Sequence, residues 1–206
     1  MDALIQKLHP ALRPGQQLMM AGSGKPLFSR QGDWDGGSPL HCVAMALALL
    51  GKLSDPVQIR RHTDDPEAAF WDRAWPHYLH GLTLSELMSF IWELNCGVRP
   101  VLADGSAETV LRFSTRELAK GWPVIVGWHN RHSAHAALAV GIEGRRYAWR
   151  FTPQALLLLD PAESEPGLAG FNARMAFGKR KPLRVSATST GPVTLCGAVS
   201  IRPLPA

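Results

Sequence analysis

An α+β fold is what the sequence predicts, on three observations. Apolar residues recur at helical spacing up to about residue 96, short β-rich runs take over from residue 97, and the breaks between runs are rich in Gly, Pro, Asn and Asp. Helices first and short strands second give a helical half, with a central buried helix, packed against a mainly antiparallel sheet. With 206 residues, 46% of them hydrophobic, the chain fills one sizeable core and is short for two. A single domain over residues 1–206 is therefore expected.

The elements follow in order. Residues 1–30, from "MDALIQKLHPALRPG" to "AGSGKPLFSR", read as a lead-in of short helical pattern followed by a Gly, Pro and Ser loop. The mostly helical half, residues 31–96, contains "SPLHCVAMALALLG". There Ser38 suits an N-cap, Pro39 the first helical position and Gly51 the C-terminal stop. Between those signals apolar residues run almost all the way round, as they do in a helix buried in the interior. "SDPVQIRRH" and "DPEAAFWDRAWPHYLHG" begin with helix-start chemistry, and in "TLSELMSFIWELN" Leu84, Leu87, Met88, Ile91 and Leu94 keep helical spacing. In the β-rich half, residues 97–206, strands are expected at "VRPVLA", "WPVIVGWH", "HAALAVGIE", "RRYAWRF", "ALLLLD" and "VTLCGAVSIR", with one helix near Ser114 to Lys120.

Composition narrows the classes of function. Lys and Arg number 22 and Asp and Glu 17, a net charge of +5 that favours acidic partners only weakly. The basic run "GKRKPLR", Gly178 to Arg184, has no interleaved aromatics and reads as a solvated loop, so no nucleic-acid partner is expected. Cys42, Cys96 and Cys196 are too few and too scattered for a disulfide framework, which suits a reducing compartment. No apolar stretch reaches the roughly 18 residues of a membrane span, and the start lacks a signal-peptide pattern. We expect a soluble chain made in the cytosol, with no membrane span; export by a system that uses no cleavable signal would leave no mark.

Chemistry concentrates in "QGDWDGGSPLHC", Gln31 to Cys42, and in two later motifs. A nucleophile at a helix N-terminus feels the partial positive charge of unpaired amides, and a cysteine there loses its proton well below its free pKa. Such a hydrolase also needs a histidine to carry the proton, a group to orient that imidazole, and a donor for the oxyanion. "HAALAVG" supplies His135 and Gly141, and "LLLLDP" supplies Asp160 and Pro161.

Together these motifs resemble papain-like cysteine peptidases, in particular the bacterial branch that includes peptidases removing leader segments after a double glycine. That branch carries a glutamine, an acidic glycine-containing turn, Cys-Gly-Pro, and a helix of the "VAMAL" kind. Aligned on "VAM", Ser38 falls on the catalytic cysteine and Gln31, seven residues earlier, on the oxyanion-hole glutamine. The resemblance runs from Gln31 to Pro161. It implies a papain-like α+β fold and a triad with the nucleophile at position 38, His135 as proton carrier and Asp160 as its orienter. It further implies a peptide, isopeptide or side-chain amide as substrate, with no cofactor and no metal.

One departure matters most. The family's Cys-Gly-Pro has become Ser-Pro-Leu, and a serine hydroxyl cannot form the thiolate and imidazolium pair of a thiol enzyme. The Ser38 form is expected to be inactive or nearly so. A nucleophile replaced deliberately, a natural pseudoenzyme that keeps the groove, and a Ser, His, Asp hydrolase all fit. Two other functions stand beside the hydrolase: an inactive module that binds a peptide or protein, and an amidase or deamidase toxin held by a cognate inhibitor or immunity protein.

Each site residue also has a plainer reading: Ser38 as helix cap, His135 as a structural histidine, Asp160 as a strand-ending turn residue, Gln31 as a loop residue. Cys42 is the rival nucleophile, but one turn deeper, where the helix dipole has largely faded and the neighbours are apolar, it reads mainly as core. The spacing of His129, His132 and His135 invites zinc, but offsets of three point to opposite faces of a strand and no fourth ligand lies nearby. Phe70, Trp71, Trp75 and Tyr78 read as core or groove wall.

Overall fold

A computed structural model describes residues 2–33, 36–57, 65–130, 133–178 and 180–205. The chain opens with a strand rather than the expected helical lead-in: β1 (Asp2–Leu8) pairs antiparallel with a later strand. The helix-like spacing of Leu4, Ile5 and Leu8 misled because β1 packs few side chains; its backbone ladder seats it instead. A small ribbon, β2 (Leu12–Arg13) with β3 (Met19–Met20), follows.

The central helix α1 (Ser38–Leu49) is buried along its whole length. Its stop is the expected one. Gly51 takes the left-handed conformation (φ 69°) and donates to Ala48 O at 3.0 Å, while Lys52 N–H reaches Leu47 O at 2.8 Å, the paired bonds of a Schellman ending. Next come α2 (Pro66–Ala74) and α3 (Leu84–Glu93), the latter fixed by a Thr83–Glu86 capping box. The helix expected from "SDPVQIRRH" falls largely outside the described residues.

The second half holds β4 (Val98–Ala103), α4 (Ala107–Leu118), β5 (Val124–His129), β6 (Ala134–Tyr147), β7 (Arg150–Leu159), β8 (Ala173–Ala176), β9 (Leu183–Ser186), β10 (Thr190–Pro192) and β11 (Thr194–Pro203). The helix expected near residues 114–120 starts earlier, at Ala107, because the Ser106 hydroxyl caps it by accepting from Thr109 N–H at 3.2 Å. "RRYAWRF" is strand as expected except at Ala148 and Trp149, where β6 turns into β7.

Among the described residues these strands form one nine-stranded antiparallel sheet, ordered β10-β9-β8-β7-β6-β5-β11-β4, with β1 also on β6. β5 pairs with β6 over Ala134–Ala139 and β1 continues along the same strand over Gly141–Tyr147. Alternating residues send two cores to opposite faces. Ile125, Leu138, Val140 and Leu159 pack with α1 and α3; Val124, Val126, Ala137 and Leu158 pack with Val110 and Phe113 of α4. The mixed helical and antiparallel architecture is the α+β class expected, with α4 covering the second face.

Candidate active site

The first residue of α1 and the first turn of β6 meet where the two elements pack. Gly37 is the helix cap, its carbonyl accepting from Leu40 N–H (2.8 Å) and His41 N–H (3.1 Å), so Ser38 is already helical. The Ser38 hydroxyl therefore does not cap the helix, contrary to the expectation. It is buried and accepts instead from the Ala136 N–H of β6 at 3.2 Å. Among the described residues nothing accepts from the Ser38 N–H, an open donor at a helix N-terminus.

Ala136 follows His135 on β6, and both residues line the same cleft as Ser38. His135 sits opposite Trp128 of β5, which presents its ring edge-on at a centroid distance of 5.0 Å. Its Nε2 lies 2.6 Å from Asp160 Oδ1, with the histidine side chain 17% exposed and the aspartate fully buried. With Nε2 taken by the carboxylate, Nδ1 is the ring nitrogen left for a substrate or nucleophile. Asp160 stands just past the end of β7.

Asp160 is held from every side. Its Oδ1 also accepts from Ala162 N–H at 3.1 Å, and its Oδ2 from Arg184 Nε (3.0 Å) and Nη2 (2.6 Å). Asn172 fixes the main chain, accepting from Asp160 N–H at 2.7 Å and donating to Asp160 O at 3.0 Å. Arg184 Nη2 also donates to Glu163 at 2.8 Å, and the Thr188 hydroxyl donates to the same carboxylate at 2.6 Å. Burial alone would raise the Asp160 carboxyl; the His135 hydrogen bond and the charges of His135 and Arg184 outweigh it and hold the group below the usual carboxylate range. A carboxylate behind an imidazole stabilises the imidazolium, and a guanidinium behind that carboxylate moderates the effect.

Ser38 and His135 line one cleft of about 590 Å³, walled by Leu82, Leu84, Leu102 and Trp128. Glu86 and Asp104 are its acidic members. A second cavity of about 320 Å³ shares Trp128 and His135 with the first and adds Asn130, Ser133 and Pro192. Two bare backbones shape the cleft: a Cβ at Gly127 would meet Leu84 Cδ2 at 3.1 Å, and one at Gly197 would meet Ala103 O at 2.7 Å.

Ser38 and His135 thus line one cleft, and His135 is bonded to Asp160. The structure does not put Gln31 in the lining of the cleft. Gln31 N–H donates to Pro161 O at 3.0 Å, which ties the glutamine to the Asp160 end of the site, and its Oε1 is buried. Cys42 lies in the core, where burial, and then the charge of Asp160, push its thiol well up, far from a reactive thiolate. Cys196 lines the cleft with Sγ 3.3 Å from His129 Nδ1, and burial raises its thiol too. Of the three histidines in "HNRHSAH", His132 lies outside the described residues, His129 faces Cys196 and His135 faces Asp160. Phe70 and Trp71 are core, while Trp75 is exposed and stacks on Tyr78 at 5.6 Å, so the aromatic cluster divides.

Sequence reasoning missed Arg184, Asn172, Glu163 and Trp128. Arg184 belongs to the run read as a solvated loop; the structure corrects this, since its side chain turns inward from β9 to the buried carboxylates. Trp128 was legible as an apolar strand residue, and only register shows what it shields.

The carboxylates of Asp160, Glu163, Glu117 and Glu143 share one pattern. Burial would raise each, and hydrogen bonds outweigh it and bring each below its ordinary value: His135 first and then Arg184 for Asp160, Ser186 and Thr188 and then Arg184 for Glu163, Arg202 and Ser200 for Glu117, Gln6 and then Arg174 for Glu143. A group whose folded pKa is depressed contributes stability above its unfolded pKa and loses it as pH falls through the folded value. The urea midpoint is therefore expected to hold between about pH 6 and 8 and to fall steadily below about pH 4.5, where free carboxylates begin to protonate.

No protein-family model and no curated protein sequence matches the chain.

Proposed function

We propose that the cleft is an acyl-transfer site of the papain-like kind, with position 38 as nucleophile and a peptide or protein amide as substrate. One observation carries this reading: a hydroxyl at the first residue of a buried helix is hydrogen-bonded to the amide next to His135, whose far nitrogen rests on a buried Asp160. In the reaction the position-38 side chain attacks the acyl carbon while His135 Nδ1 takes its proton, and the imidazolium then gives that proton to the departing amine. Water reverses the sequence to release the acid. The Ser38 N–H, open at the helix start, is the nearest donor for the oxyanion, and Gln31 adds a second only by turning its amide into the cleft.

The Ser38 hydroxyl lacks the acidity of a thiol, so the chain as it stands handles amides slowly or not at all. Ser38→Cys is expected to create a thiol alkylated by iodoacetamide at least ~100-fold faster than the same thiol in Ser38→Cys/His135→Ala, read by mass spectrometry of the residue-38 peptide. Equal, slow labelling in both would instead favour an inactive binding module.

A further inference from the structure

We propose that the tip of the β6–β7 hairpin docks on an anionic lipid bilayer. Tyr147 pairs with Arg150, so Ala148 and Trp149 make a two-residue turn. Such turns favour Asn and Gly, which accept a left-handed backbone; here Ala148 takes it, at φ 52°. Trp149 is 91% exposed and Tyr147 73%, and Leu4, across the β1–β6 ladder from Arg145, is 62% exposed. Two aromatics held in water at this turn, with an exposed leucine on the neighbouring strand, gain nothing from the folded chain's own core.

Charge selects the occupant. Residues Gly144 to Phe151, "GRRYAWRF", carry three arginines and no acid. Arg146 and Arg150 are exposed beside the aromatics, and Lys7 of β1 lies over the Phe151 ring at 4.5 Å. Trp and Tyr partition to the headgroup level of a bilayer, and nearby cations draw a segment to anionic lipid. Single-stranded nucleic acid shares the taste for aromatics and arginine, yet it binds along grooves that track its backbone, whereas this surface is a convex two-residue point.

Position along the strand fits surface docking. Twelve residues separate His135 from Tyr147 on β6, which puts the tip roughly 40 Å from the imidazole along an extended strand. A bilayer at the tip leaves the cleft clear.

The test is co-sedimentation of the full chain with vesicles of phosphatidylcholine containing about one-third phosphatidylserine, at low salt. The protein is expected to sediment with these vesicles, to stay in solution with phosphatidylcholine alone, and to be released by salt. Tyr147→Ala/Trp149→Ala and Arg146→Gln/Arg150→Gln, both confined to exposed side chains, are each expected to lower the bound fraction, the arginine pair by more than about tenfold. Binding that is indifferent to both double variants overturns the proposal. So does absence of vesicle binding, including the case where a fluorescent single-stranded oligonucleotide binds the tip instead. None of these readouts depends on position 38, so the outcome stands apart from that of the acyl-transfer reading.

Discussion

Asp160→Ala is expected to lower stability by about 3–5 kcal/mol, the cost of breaking a buried ion pair from one side. The carboxylate is fully buried and receives Arg184 through two nitrogens, His135 through one and the Ala162 amide besides. Alanine leaves the 13% exposed Arg184 side chain with Glu163 as its remaining carboxylate and leaves the His135 ring without its anchor. Asp160→Asn keeps an acceptor for the Ala162 amide and loses the charge, so its cost is expected to fall between wild type and alanine. Urea denaturation followed by circular dichroism checks both, with a lowered midpoint and unchanged slope as the expected signature. If Asp160→Ala unfolds at the wild-type midpoint, the network around it contributes nothing to the fold and serves the site alone.

Gly141→Val is expected to be strongly damaging as well, at about 3 kcal/mol or more. Even a Cβ at this position would sit 2.7 Å from Lys7 O and 2.9 Å from Leu8 Cδ2. Both contacts belong to β1, so the added branches are expected to lift that strand from β6. Hydrogen exchange resolves the effect by residue: amides from Leu4 to Leu8 lose protection while those of β5 and β7 keep theirs. Uniform protection of β1 in the variant would mean that the strand shifts rather than detaches.

Site residues that terminate an element were the ones legible in the sequence. Ser38 opens α1, His135 lies at the start of β6 and Asp160 follows β7, and a change of periodicity marks each boundary. Helix α1 was legible because an apolar run between Gly-Ser-Pro and a left-handed glycine admits little else. What stayed hidden depends on side-chain direction. Nothing in "GKRKPLR" says that Arg184, and not Arg180, turns inward, because a β-strand assigns faces only once its register is known. The strands β8, β9 and β10 are short, lie toward one edge of the sheet and lack apolar runs, so period-2 counting passes over them. The exposed β1 took a helical reading because neighbours, not propensity, decide an edge strand.

The imidazole and its carboxylate come from the two strands of one hairpin, whereas position 38 arrives on a separate helix. Under the proposed acyl-transfer reading, proton handling and bond making fall to different pieces of the architecture. On that reading a lineage, or a chemist, is free to exchange the attacking atom at position 38 without rebuilding the His135–Asp160 pair, so that a single codon separates a reactive from an unreactive form.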